Sequence, residues 1–124
     1  MRKKTKHLET GKKGEAIAVK FLESKKYEIL ETNWRFRRAE IDIIAKDGET
    51  LVFVEVKTRS YDYYGPPESF VSERKKTLLI DAANAYVREI NHNWEIRFDI
   101  IGILMNQSDS HSLKHFEDAF FPGI

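Results

Sequence analysis

The feature that most constrains this chain is a pair of β-prone runs on either side of an Asp-Gly dipeptide. Glu40-Ile41-Asp42-Ile43-Ile44-Ala45 precedes Lys46-Asp47-Gly48-Glu49, and Leu51-Val52-Phe53-Val54-Glu55-Val56-Lys57 follows it. β-branched and aromatic runs flanking Asp-Gly predict a tight hairpin. With Asp47-Gly48 as the two-residue turn, Asp42 faces Phe53 and Glu40 faces Glu55. Side chains alternate between faces, so Asp42, Phe53, Glu55, Lys57 and Arg59 share one face. Ile41, Ile43, Val52, Val54 and Val56 share the other and pack into a core. Asp42 and Glu55 are then diagonal neighbours, roughly 7–8 Å apart at the backbone. Leu51 to Val54 is apolar on both faces, which predicts a central strand covered on both sides. The charged groups at its end sit at the edge of a cleft.

The remaining pattern surrounds this hairpin with helices. Ala18 and Leu22 form an apolar stripe, beside Ile17 and Phe21, in a helix from about Gly14 to Lys26. Tyr27 to Thr32 reads as a short strand ended by Asn33-Trp34-Arg35. Ser72 is placed to cap a helix over Glu73–Ile90, with Leu79, Ala83, Tyr86 and Ile90 on one stripe. Trp94 to Leu104 alternates as a strand, Met105 to Ser112 reads as polar loop, and Leu113 to Phe121 fits either a final strand or a short helix. The order α-β-β-β-α-β predicts an α/β fold, a single domain with a mixed central β-sheet flanked by helices. At 124 residues, 41% apolar and 33% charged, the chain suits one core. Residues 1–10 read as a basic lead-in, 11–121 as the domain and 122–124 as a tail.

Several classes are disfavoured. No cysteine is present, so disulfides and thiolate metal sites are excluded. No run of about 18 apolar residues suggests a membrane span. The basic start, Met1-Arg2-Lys3-Lys4, lacks a following apolar stretch, which argues against a secretory signal and for a cytoplasmic location. Charge is unevenly spread: residues 1–38 carry 12 Lys/Arg against 5 Asp/Glu, and residues 39–124 carry 9 against 15. That split is either a phosphate-binding face beside a carboxylate site or merely a basic tail.

Acids crowded on one sheet face are costly without a counter-charge. Either Lys57 and Arg59 neutralise them as a salt-bridged face, or Asp42 and Glu55 hold a divalent cation. Glu15, at helical spacing from Ala18 and Leu22, is on the core-facing stripe. It is either a third acid of the site or a residue favoured by its own helix dipole. Oxygen donors suit Mg²⁺ or Mn²⁺. His7, His92, His111 and His115 show no ligand spacing on a shared rigid element and read as surface residues. A cation held by Asp42 and Glu55, with Lys57 beside it, is a set suited to phosphodiester cleavage.

These residues resemble a known family. The stretch AEIDIIAKDGETLVFVEVKTRS looks like the core of the YraN-like family of small bacterial proteins. That family is similar to the Holliday-junction-resolvase branch of the restriction-endonuclease-like nucleases. Gly14-Glu15 with Ala18, Asn33-Trp34-Arg35, Gly65 with Pro66 and Pro67, Lys75, Ala82-Ala83, Arg97-Phe98-Asp99 and Ala119-Phe120 extend the resemblance over roughly residues 11–121. Ala39 departs from the glycine usual before Glu-Ile-Asp. The resemblance implies a restriction-endonuclease-like core. It also implies an acid–Asp–Glu-x-Lys site at Glu15, Asp42, Glu55 and Lys57, and a possible homodimer by analogy.

Nucleic acid, foremost DNA in branched or single-stranded form, is the expected partner. Trp34, Arg35, Arg37 and Arg38 form a basic-aromatic segment suited to phosphate contact and base stacking, or else a charged loop with a buried Trp34. Arg74, Lys75 and Lys76 crowd the first turn of a helix, where the dipole disfavours cations. Arg59 extends the hairpin face, and Tyr61, Tyr63 and Tyr64 are candidates for stacking or packing. The expected activity is a Mg²⁺- or Mn²⁺-dependent endonuclease. The alternative is a catalytically silent nucleic-acid-binding or protein-interaction module on the same fold.

Overall fold

The computed structural model describes residues 2–60, 71–108 and 110–120, with side chains from Thr10 onward. The expected roles of Tyr61, Tyr63, Tyr64 and Gly65-Pro66-Pro67 lie outside the described residues. Helix α1 (Arg2–Ser24) leads into β1 (Glu28–Phe36), β2 (Ala39–Asp47) and β3 (Thr50–Ser60). Helix α2 (Glu73–Glu89), β4 (Ile96–Met105) and β5 (His111–Phe116) follow. The five strands form one sheet in the order β1-β2-β3-β4-β5. β1–β2–β3 is an antiparallel meander, α2 crosses over to set β4 parallel to β3, and β5 returns antiparallel to β4. This is the mixed α/β core that the sequence implies. Among the described residues no helix is long and apolar enough to cross a membrane.

Each sheet face carries its own core. On one, Leu79, Ala82, Ala83 and Tyr86 of α2 pack on Ile44, Leu51, Phe53, Phe98 and Ile100. On the other, Ala18 and Leu22 of α1 pack on Ile43, Ala45, Val52, Val54, Ile101 and Ile103. Covering both faces explains why β3 and β4 are apolar at successive positions.

Both helices end in the same way. Lys26 (φ 71) and Asn91 (φ 55) adopt the left-handed conformation. Tyr27 N–H bonds Leu22 O and His92 N–H bonds Val87 O, the long-range bond of a Schellman ending. That turn stops α1 at Ser24 and leaves Ile90 as the C-cap of α2, 39% exposed rather than on the buried stripe. At its other end α1 reaches back to Arg2, so the expected lead-in is continuous with the helix. Glycine weakens a helix by about 1 kcal/mol without forbidding it, and Gly11 and Gly14 lie within α1.

The hairpin register differs from the expected one. Asp47 pairs with Thr50, Ile44 with Phe53 and Ile43 with Val54. The loop is Gly48-Glu49, with Gly48 at φ 62 in the first position, the placement that type II′ turns use. The shift is two residues along the partner strand. Two is the side-chain period, so the same apolar residues stay inside in either register and the pattern cannot choose between them. Ile41 is a second correction, because it packs in the α2-side core rather than beside Ile43.

Strand β1 runs on through Asn33-Trp34-Arg35 to Phe36. At the far edge, β5 begins at His111, within the stretch expected to be loop. His115 is not a surface residue: its side chain is 5% exposed and its Nε2 lies 2.7 Å from Asp99 Oδ2. Asp99 is fully buried and also accepts from Arg97 Nε, Arg97 Nη2 and the Asp118 N–H. Arg97 donates onward to Tyr27 Oη and Asp47, which ties β4 to the end of α1 and to the β2–β3 turn.

Candidate functional site

The β2–β3 ladder has its last pair at Ile43 and Val54. Beyond it the Val56 N–H donates to Asp42 Oδ2 at 2.8 Å, so a side chain takes the place of a backbone partner. Asp42 is thereby wedged where β2 and β3 part, with 9% exposure, next to Glu55 with 4%. Glu15, Asp42, Glu55 and Lys57 line one cleft of about 580 Å³, together with Arg59 and Lys75. Glu40, expected opposite Glu55, is absent from this wall: it is ion-paired to Arg35 at 3.0 Å and lines the adjoining cavity instead.

Helix α1 contributes Glu15 because it crosses β3 at very close range. Gly14 is buried against Thr58, and a Cβ there would strike Thr58 Oγ1 and lie 2.9 Å from Thr58 Cβ. Only glycine permits this approach. Glu15 Oε1 then accepts from Asn33 Nδ2 at 3.0 Å, and Asn33 itself holds a left-handed φ of 51. Asn33 and Gly14 thus position Glu15.

Two ammonium groups meet the carboxylates. Lys57 Nζ lies 3.9 Å from Glu55 Oε1, and Lys75 Nζ lies 3.0 Å from Glu55 Oε2. The second is an ion-pair distance without hydrogen-bond geometry, so Glu55 Oε2 is a buried oxygen that accepts no hydrogen bond. Sequence reasoning placed Lys75 among the nucleic-acid contacts but missed its contact with Glu55. The available signal was a cation in a helix's first turn, against the dipole.

Burial, then a shared hydrogen bond with Glu55 and that group's charge, pushes Asp42 up to about 9, against the pull of the Val56 N–H. Burial and the neighbouring Lys75 bring Lys57 down to about 8. Burial also depresses Lys75, but its contact with Lys57 and the charge of Glu55 outweigh it and hold Lys75 above the ordinary lysine range.

Asp42 and Glu55 suit a hard divalent cation. They offer adjacent oxygen donors, one of them buried without a hydrogen bond, and a proton that a dication would expel. Among the described residues no group of three His, Cys, Asp or Glu side chains could enclose an ion. A cation at this place would therefore rest on the two carboxylates Asp42 and Glu55, with its remaining positions open to water or phosphate.

The expected nucleic-acid residues separate into groups. Arg59 and Lys75 line the cleft. Arg38, Arg74 and Lys75 line an adjoining cavity of about 240 Å³. Arg35 pairs with Glu40, and Arg37 lies 3.8 Å from Asp81. Lys76 turns to Glu73 at 3.1 Å and sits over the Phe120 ring. Trp34 is half-buried, edge-on to Tyr86 and stacked on Phe36, so its ring is engaged in packing.

Known proteins fit the same frame. The model of "Uncharacterised protein family UPF0102" matches residues 14–103, a span that contains all four acid and lysine positions. A UPF0102 protein of Christiangramia forsetii is 50% identical over 115 residues, covering 93% of this chain and 96% of its own. One from Flavobacterium psychrophilum is 50% identical over 115 residues with the same coverage. One from Flavobacterium johnsoniae is 44% identical over 119 residues, again covering 93% and 96%. With the family model spanning most of the chain and relatives matched nearly end to end, this chain belongs to the UPF0102 family.

Proposed function

We propose that the protein is a Mg²⁺- or Mn²⁺-dependent endonuclease that hydrolyses nucleic-acid phosphodiester bonds, foremost in DNA, in the cytoplasm. The observation that carries this reading is the convergence of two nearly buried carboxylates, Asp42 and Glu55, with Lys57 on one cleft wall. When bound there, the cation would supply charge neutralisation at the phosphate and an activated water. Asp42 and Glu55 would hold it, with Asp42 kept in place by the Val56 N–H. Lys57, brought down to about 8, would exchange a proton with the attacking water or contact a phosphoryl oxygen. Glu15, fixed by Asn33, would orient water on the helix side. Arg59 and Lys75 would take phosphates within the cleft, and Arg38 and Arg74 beside it.

One observation favours a second reading, a silent binding module: Lys57 and Lys75 already neutralise Glu55 without a metal. The two readings separate in one experiment. The protein is incubated with single-stranded, flapped, four-way-junction and supercoiled DNA, and with RNA, in Mg²⁺ or Mn²⁺. Metal-dependent products that disappear in Asp42→Ala and Lys57→Ala support the endonuclease. Binding without products, unchanged in both variants, supports the module. Sedimentation with and without a four-way junction tests for the homodimer that junction cleavage would require.

A further inference from the structure

Lys75 stands between two cavities. It lines the cleft that holds the carboxylates and also the adjoining one, where Arg38, Arg74 and Glu40 accompany it, the last already paired with Arg35. Its ammonium lies 3.0 Å from Glu55 Oε2, the buried oxygen that accepts no hydrogen bond. Lys57 approaches the other oxygen of the same carboxylate. The two lysines are held differently. Lys57 extends from β3 with its side chain 14% exposed, whereas Lys75 reaches in from the first turn of α2 with 37% exposed. A four-carbon stem rooted on the rim can withdraw without moving the sheet.

We infer that Lys75 is an exchangeable counter-cation: it neutralises Glu55 while no metal is bound, gives way to the divalent cation, and then serves a phosphate in the adjoining cavity with Arg38 and Arg74. This rests on the metal-dependent reading above. A carboxylate as buried as Glu55 needs a compensating charge, and Lys75 supplies one at the oxygen that lacks a hydrogen bond. A dication binding that oxygen and an ammonium 3.0 Å from it would repel strongly, so one must leave. A cation in the first turn of a helix opposes the dipole, and the backbone N–H of Lys75 is already used by the Ser72 cap. The side-chain charge therefore opposes the dipole, and with the N–H committed to the cap it is the ammonium that can meet an anion arriving between the two cavities. Lys76, one residue on, faces Glu73 instead and serves as the control.

The test is a calorimetric titration of Mn²⁺ into the whole chain without nucleic acid, using the parent, Lys75→Met, Lys76→Met and Asp42→Asn. Lys75→Met keeps the stem and removes the charge. It should bind Mn²⁺ about tenfold more tightly than the parent. Lys76→Met should match the parent, and Asp42→Asn should bind none. A second titration with a DNA duplex in Ca²⁺ should show Lys75→Met binding DNA about tenfold more weakly. Lys75→Gln replaces Lys75→Met should the latter fail to fold. Parent and Lys75 variants binding Mn²⁺ equally would overturn the counter-cation role and leave the metal reading standing. Absence of Mn²⁺ binding in every chain would overturn both.

Discussion

Asp42 carries a large local electrostatic cost. Its unfolded-state pKa is about 3.9, and in the fold burial and Glu55 push it up to about 9. Between those values the folded chain keeps a proton that the unfolded chain has lost. The metal-free protein therefore loses stability as pH rises from about 4 towards 9. Asn at this position still accepts from Val56 but carries no charge. Asp42→Asn should melt about 5 °C or more above the parent at pH 8 without metal, should match it near pH 4, and should lose any rise in Tm on adding Mn²⁺. A calorimetric melt at the two pH values decides this. Asp99 has the opposite sign. Burial alone would raise its pKa, but His115, Arg97 and the Asp118 N–H together hold it below the carboxylate range. Its contribution is present above about pH 4 and is lost as pH falls through the depressed value. Asp99→Ala leaves Arg97 and His115 without their shared anion and should cost about 3–5 kcal/mol in urea unfolding.

At the scale of elements, α1 and β3 meet where no side chain fits. Gly14→Ala would force the helix off Thr58 and carry Glu15 with it. It should lower stability by about 1–3 kcal/mol and, on the endonuclease reading, reduce cleavage more than tenfold. Gly11→Ala meets nothing within 4 Å and should stabilise the chain by about 1 kcal/mol through helix propensity. Parallel urea titrations and cleavage assays of the pair check both. Much of this scale was legible in the sequence. β-Branched and aromatic runs flanking Asp47-Gly48 located β2 and β3, helical spacing of Ala18 and Leu22 located α1, and Ser72 marked the start of α2. What escaped had a physical reason. Register was degenerate because a two-residue slip preserves every inward side chain. Ile41 changed sides because Asp42 left the ladder, and no pattern of apolar residues records a strand's departure from its partner. His115 read as a surface residue because its partner, Asp99, lies on a neighbouring strand 16 positions away along the chain. Glu15, Asp42, Glu55 and Lys57 were legible as a set, and the cleft brings all four together. The contact of Lys75 with Glu55 was not, since it depends on how α2 lies over the sheet.

For the whole molecule, the two polar groupings divide the labour. Arg97, Asp99 and His115 join β4 and β5 to the end of α1 as a clamp centred on the buried Asp99, while the carboxylates and lysines at the other grouping open onto the cleft. On the metal-dependent reading, an ion entering the cleft would displace the proton held at Asp42. At pH 7, calorimetry in buffers of differing ionisation enthalpy should register release of about one proton per ion bound, and apparent affinity should climb with pH until about 9. An affinity flat across that range would contradict the raised Asp42 value.

The amide of Val56 has a consequence for anyone watching the protein in solution. It gives its hydrogen to a carboxylate instead of to a neighbouring strand, so it answers to the electronic state of that acid. Whatever arrives at the acid is written into one nitrogen resonance at the sheet's fork, readable without substrate and without turnover.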